Sequence, residues 1–339
     1  MFKPERPPSL GGTPFLEAPY DLEPDRIISE IRRLRVRRVL LQMPDGLKPY
    51  AQQLAGEIAG RTGVEVFLSA SPCYGGCDLA LTEAERLGVG LLVHFGHTPF
   101  VASPRKLKIL YVEARCRLGV GEAVRKAIGL LTPHRRIGLT ATLQHVHKLN
   151  EAKKVLEAEG FRVVVGSPKG KGVAYPGQIL GCNVTAASSI SAKVEAYLHV
   201  GGGFFHALGI YLALGKPVVA ADPYKGEALE VSELGERIKR RLKANLMRVG
   251  EASKVGVILG VKPGQFNPQQ ALKVKRSLER LGKQVSLLSL DEVNSQQLEN
   301  FPELEAYVST ACPRLGLDDG ERWVKPLVPA ASFLKAFGG

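Results

Sequence analysis

The chain has 339 residues, too many for one small core and enough for two or three ordinary domains. An apolar fraction of 45% with a charged fraction of 23% is that of a water-soluble globular protein. No apolar run approaches the roughly 18 residues of a membrane span, so the sequence reads as cytoplasmic, with no membrane partner. The net charge of +13 favours acidic partners, while the low aromatic content, 6%, disfavours direct nucleic-acid binding, which needs stacking side chains among the basic ones.

Residues 1–23 contain no signal-peptide-like apolar stretch and read as a flexible leader. A first α/β unit is expected over 24–115. Its elements are a strand at Val39–Gln42, a turn at Pro44-Asp45-Gly46, a helix at Tyr50–Arg61, a strand at Val64–Leu68, a loop with Cys73 and Cys77, a helix at Leu79–Leu87, a strand at Gly90–Phe95, and a last strand in KILYVEA. A second unit, 116–224, repeats the pattern. It has strands at Ile137–Thr140 and Phe161–Val165, a helix at Leu149–Ala158 between them, the Cys182 loop, a strand near Ala196–Val200, a helix after Gly201-Gly202-Gly203, and KPVVAADPY at its end. A third unit, 225–339, opens with a basic helix and then has strands at Val255–Leu259, Val285–Ser289 and Ala306–Ser309, the last running into Cys312. The predicted fold class is therefore α/β, with three related domains, parallel sheets covered by helices, and the domains arranged around a pseudo-threefold central cavity. Ligands in such sheets bind beyond the carboxyl ends of the strands, where the three cysteine loops fall.

Five cysteines, Cys73, Cys77, Cys116, Cys182 and Cys312, are an odd number at wide spacing, which argues against a disulfide framework. Any one of them alone is most simply read as small apolar packing. Cys77, Cys182 and Cys312 differ in context, because each sits in a Gly- or Pro-containing loop at an equivalent place in its unit. Three thiolates with one iron left open suit a 4Fe–4S cluster. Zinc is the competing reading, with a histidine from His94, His97, His145, His147 or His206, although the local CxxC pairs usual for structural zinc are absent from the sequence. Cys116 reads as structural, and Cys73 as ambiguous. Arg314 can hold a carboxylate through paired hydrogen bonds or bridge to Asp318 or Asp319, and Gln265 and Gln144 offer neutral polar contacts from first-strand loops. The glycine triplet before His206 lacks the spacing of a phosphate-binding loop.

At LLQMPDGL, CYGGCD, VHFGHTPF, LGCN, GGGFFHALG, DPY, KPGQF and ACPRLGLDD the chain resembles the archaeal diphthamide synthases, which make 2-(3-amino-3-carboxypropyl)histidine. The resemblance covers nearly everything after Pro24. It implies a homodimer whose cluster ligands are Cys77, Cys182 and Cys312, with S-adenosylmethionine as cosubstrate. It also implies an electron donor, cleavage that releases methylthioadenosine, and radical transfer of the amino-carboxypropyl group to C2 of a histidine on translation elongation factor 2. Ordinary radical S-adenosylmethionine enzymes carry a local C-x3-C-x2-C run, and here Ala80 stands where its third cysteine would be. The alternatives are a dehydratase resembling quinolinate synthase, a non-catalytic partner subunit of a diphthamide complex, and a basic RNA-binding module.

Overall fold

The computed structural model describes residues 18–102, 107–317 and 323–338. These form two compact units. One is the described part of Met1–Gly203 together with Val219–Leu229, and the other is Phe204–Val218 with the described part of Glu230–Gly339.

The first unit begins with a short antiparallel pair. In it, β1 (Tyr20–Asp21) lies against a later strand, Arg115–Cys116. Leu22 is buried, so the expected leader ends earlier than residue 23, its segment 18–23 being packed; residues 1–17 lie outside the described chain. β2 (Arg38–Gln42), β3 (Glu65–Leu68), β4 (Leu91–Phe95) and β5 (Lys108–Val112) make an all-parallel sheet in the order β3-β2-β4-β5, and the Arg115–Cys116 strand is β6. β7 (Arg136–Ala141), β8 (Arg162–Val164), β9 (Ala196–Val200), β10 (Val218–Asp222) and β11 (Glu227–Glu230) make a second sheet in the order β8-β7-β9-β10-β11. In the second unit, β12 (Lys254–Gly260), β13 (Gln284–Leu290), β14 (Ala306–Ser309) and β15 (Leu327–Pro329) are again all parallel, in the order β13-β12-β14-β15.

The three sheets share one winding. In each, the second strand lies on one side of the first, and the third and fourth lie on the other. That order places a topological switch point at the carboxyl ends of the first and third strands, where adjacent connections leave in opposite directions and open a crevice. The central strands are near-continuous apolar runs, as burial on both faces requires: Val39–Gln42, Leu91–Phe95, Ile137–Ala141 and Ala196–Val200 are buried throughout. Helices cover them. Ile27, Ile28, Ile31, Leu54 and Ile58 pack on the first sheet, Val124, Ala127, Leu131, Ala152 and Leu156 on the second, and Val274, Leu278 and Phe333 on the third.

The expected strands and major helices are found within a residue or two of where periodicity placed them. Three differences have physical causes. The turns after β2 and β7 continue as 3-10 helices, Asp45–Tyr50 and Leu143–Lys148, because the chain must carry straight on into the following helix. β11 has only Leu229 and Ala228 as apolar residues, so it lacked a clear strand pattern. Helix Phe205–Leu214, expected in the middle unit, belongs to the same compact unit as the C-terminal sheet. There Tyr211 lies against Gly235 of helix Ser232–Glu251, where a Cβ would come within 2.2 Å of its ring, and its hydroxyl donates to Glu236.

The second and third sheets also share a side-chain pairing. Gly138 of β7 lies opposite Tyr197 of β9, and Gly256 of β12 opposite Tyr307 of β14. In each case a Cβ on the glycine would stand 2.5 or 2.7 Å from the tyrosine ring. Each buried tyrosine donates to a carbonyl of the preceding connection, Ala187 or Leu298. The corresponding pair in the first sheet is Leu40 and Leu92. Gly256→Val therefore overpacks the third sheet. The expected loss is about 1–3 kcal/mol, read as a lower denaturation midpoint by tryptophan fluorescence of Trp323.

Candidate functional site

In the first sheet, β2 ends in Gln42, whose side chain is fully buried and bridges to the cysteine loop. Its Nε2 donates to the Asp78 carbonyl (2.6 Å), and its Oε1 accepts from the Ala80 amide (3.1 Å). Lys48, from the 3-10 turn after β2, donates to the carbonyls of Ala70 and Ser71 and holds the near end of the same loop. Between these anchors lies the Cys73–Asp78 segment. Gly76 is sterically required, since a Cβ there would sit 2.7 Å from the Thr98 carbonyl oxygen, and a Cβ on Gly75 would press the Cys77 sulfur at 3.3 Å. The Asp78 carboxylate accepts from the Tyr74 amide and closes the turn.

Cys182 lies at the tip of the long connection after β8. Leu180 and Asn183 pair across the tip, and Asn183 ties it to the carbonyls of Lys169 and Lys171. The base of this connection is clamped by Gln178, also fully buried. Gln178 Oε1 accepts from the amides of Ala174 and Tyr175, and its Nε2 donates to the Gly172 carbonyl and the Thr98 hydroxyl. Thr98 in turn donates to the Gly172 carbonyl, and the Gly172 amide to the Pro99 carbonyl. The Cys182 connection is thus joined to the loop after β4, on which Gly76 also rests. Cys182 and Cys77 come close enough to interact. Desolvation by the surrounding chain, and then the charge of Cys77, raise the Cys182 thiol above its ordinary value, although its surface is open to solvent.

Cys312 lies in the second unit, just past β14 at that sheet's switch point. Thr310 donates through both its amide and its hydroxyl to the Ile258 carbonyl of β12. Ala311 lies flat on Gly260, where a Cβ would approach within 2.8 Å. Cys312 then caps the 3-10 turn Pro313–Gly316, half-buried. The next residue but one, Arg314, lays its guanidinium over the Phe205 ring at 4.1 Å. Gln265 follows β12, its side-chain oxygen facing the Gly260 backbone. Asp318 and Asp319, the alternative partners for Arg314, lie outside the described residues.

Gln144 donates its amide to the carbonyls of Gly96 and Glu113, so a ligand contact through this residue falls to its oxygen. Cys116 is fully buried in the β1–β6 pair, as expected of a structural thiol. His145 is fully buried behind the second sheet's first loop, with Nδ1 on the Thr142 hydroxyl at 3.1 Å and the Tyr224 ring edge-on at 5.4 Å. Sequence reasoning missed Gln42, Thr98, Gln178 and the buried Lys262, which pairs with Glu292 at 2.7 Å in the KPGQF loop. For Gln42, Thr98 and Lys262 the common signal is a polar side chain at the last residue of a strand or in the loop just beyond it, while Gln178, well past β8 in a long connection, carries none.

Burial drives His145 down to about 4, aided by the nearby His147 charge. The unfolded chain protonates this imidazole near 6.5. Between those values the unfolded state therefore binds the extra proton, and stability falls as pH drops through that window. From pH 7 to 5 the His145 contribution is about 2 kcal/mol. Denaturant midpoints at the two pH values should show His145→Gln less acid-sensitive than the parent by that amount.

Residues 43–338 match the family model described as "diphthamide synthesis protein". The chain is 37% identical over 310 residues to 2-(3-amino-3-carboxypropyl)histidine synthase of Pyrococcus horikoshii, covering 91% of this chain and 88% of that one. It is 30% identical to subunit 1 of the Mus musculus 2-(3-amino-3-carboxypropyl)histidine synthase, covering 95% of this chain and 74% of that subunit. The crystal structure of Dph2 from Pyrococcus horikoshii with a 4Fe–4S cluster superposes with a TM-score of 0.84 at 36% identity, covering 94% of this chain and 91% of that one. A shared winding in three sheets, cysteine loops at their carboxyl ends and this similarity along nearly the full length place the chain in the diphthamide synthesis protein family.

Proposed function

We propose that this chain is a 2-(3-amino-3-carboxypropyl)histidine synthase, a transferase that moves the 3-amino-3-carboxypropyl group of S-adenosylmethionine to C2 of a histidine in translation elongation factor 2. The observation that carries the reading is the hydrogen-bonded clamp that brings the Cys77 and Cys182 loops together, in a chain whose third loop thiol, Cys312, also stands at the carboxyl end of a strand. Cys312 follows the third strand of its sheet, whereas Cys77 and Cys182 follow the second, so its place is not the equivalent one expected from the sequence. Cys77, Cys182 and Cys312 would hold a 4Fe–4S cluster through three thiolates, a donor set that leaves one iron open. When reduced by an electron donor, such a cluster supplies the electron that cleaves the sulfonium and releases methylthioadenosine.

The chain's own residues orient the cosubstrate. Stacking on Phe205 occupies the face of the Arg314 guanidinium, and its N–H donors lie in the ring plane, suited to a carboxylate fork. Gln265 and the oxygen of Gln144 supply neutral acceptors for the amine. The helix Ser232–Glu251 exposes Arg237, Arg240, Lys243 and Arg248, a basic face that steers an acidic protein substrate. The working state is a homodimer in the cytoplasm.

The test is anaerobic reconstitution with iron and sulfide, then dithionite and S-adenosylmethionine, with products separated by chromatography. Methylthioadenosine is the expected product, and Cys77→Ser, Cys182→Ser and Cys312→Ser each abolish it together with the cluster absorbance. 5′-Deoxyadenosine instead would mean ordinary radical cleavage and overturn the assignment. A cluster that leaves S-adenosylmethionine intact would favour the dehydratase reading.

A further inference from the structure

The Cys73 sulfur, a ring nitrogen of His94 and a ring nitrogen of His97 all lie within 4.8 Å of one another, with Cys73 and His94 buried. None of the three is needed by the reaction proposed above. They come from the carboxyl end of the first sheet: Cys73 is in the loop after β3, His94 is near the end of β4, and His97 is in the loop after it. We propose that these three side chains form a second metal site, separate from the cluster thiols and selective for a zinc-like divalent cation.

Three features of the geometry support this. The donor set is one thiolate and two imidazoles, which suits Zn2+ over the oxygen-seeking Mg2+ and Ca2+. The His94 ring is held in the tautomer a metal requires. Gln42 Oε1 is fixed as an acceptor by the Ala80 amide, so the 2.8 Å contact from His94 Nδ1 must be an N–H donated to it. That leaves the Nε2 lone pair facing inward, and a carbonyl-type acceptor behind a ligating histidine is the usual supporting arrangement. His94 Nε2 is already 3.0 Å from His97 Nδ1. Tetrahedral zinc with bonds of about 2.0–2.1 Å to nitrogen and about 2.3 Å to sulfur needs separations of roughly 3.3–3.6 Å, so the imidazoles need shift apart by only a few tenths of an ångström, while the Cys73 sulfur, within 4.8 Å of both nitrogens, closes in by up to about an ångström through its side chain.

Binding exchanges protons for the cation without redox change. The Cys73 S–H bond breaks, its proton leaves to solvent, and a sulfur–metal bond forms. The proton shared between the imidazoles moves to the outer nitrogen of His97, and its place is taken by the metal. The net change is one cation bound and one proton released. The bound cation would staple the loop after β3 to the end of β4 and the loop after it, adding to the hold of the Gln42 bridge on the segment that carries Cys77.

The site is tested in a chain that lacks the cluster ligands, Cys77→Ser/Cys182→Ser/Cys312→Ser, stripped with chelator and titrated with Co2+. Failure of the cluster assignment leaves this experiment unaffected. The expected result is one Co2+ per chain with a thiolate-to-cobalt charge-transfer band. That band disappears when Cys73→Ser is added, and binding weakens at least tenfold with His97→Gln or Gln42→Leu, about the range for loss of a supporting partner. X-ray absorption of the Zn2+-loaded triple variant should count one sulfur and two imidazole nitrogens, a reading independent of whether the Cys73 variant folds. A band that survives Cys73→Ser, no band in the triple variant, or a ligand count without sulfur would each overturn the proposal.

Discussion

The buried carboxamide of Gln178, together with the Thr98 and Gly172 hydrogen bonds beside it, joins the two thiol loops of the first unit. An amide has one acceptor oxygen and one two-hydrogen donor, and here all of them are used. The oxygen gathers two amides of its own connection, and the nitrogen reaches the Gly172 carbonyl and Thr98 of the neighbouring sheet. Because the group is out of water, each missing partner would cost about 1–3 kcal/mol, so the junction is all or nothing. Gly76 packs against Thr98 and Phe100, and Gly172 against Phe100 and Leu180, so the loops of Cys77 and Cys182 both rest on the loop after β4.

The three sheets solve one problem with different side chains. A parallel sheet covered on both faces must fill the space between first and third strands at mid-height. Two of the sheets do so with a glycine opposite a tyrosine whose hydroxyl finds a carbonyl, and one with a pair of leucines. The tyrosine solution fixes the preceding connection through a hydrogen bond, and the leucine solution leaves that connection to be held from elsewhere. In the first sheet the Cys73–Ala80 loop is accordingly held by Gln42 and Lys48.

Most of the strand-helix alternation was legible because apolar runs such as RVLLQ and LLVHF are punctuated by Gly, Pro and charged residues. The cysteine loops stood out for the same reason: a thiol among glycines is not packing. The polar residues that hold those loops were not legible. Gln42 and Asp78 are 36 residues apart, and Thr98 and Gln178 are 80 apart. A glutamine ending an apolar strand carries no periodicity that distinguishes a buried bridge from a solvated end. Gln144 was legible as a loop residue, but not the use of its amide on two backbone carbonyls, 48 and 31 residues away in sequence. Helix Phe205–Leu214 was recognised as a helix, but local pattern cannot say with which compact unit a segment will pack.

That helix has a consequence for biogenesis. It is drawn from the middle of the chain, between β9 and β10 of the first unit's second sheet, yet its buried residues Ala207, Leu208, Ile210 and Tyr211 belong to the unit completed by the C-terminus. During synthesis the helix, apolar on nearly all sides, must wait for its packing partner, helix Ser232–Glu251, to emerge. Transient apolar exposure of this kind is where chains aggregate or recruit chaperones. The interval between translation of residue 214 and emergence of residue 251 is therefore the period in which this helix is most exposed, and heterologous expression at slow elongation rates would lengthen it.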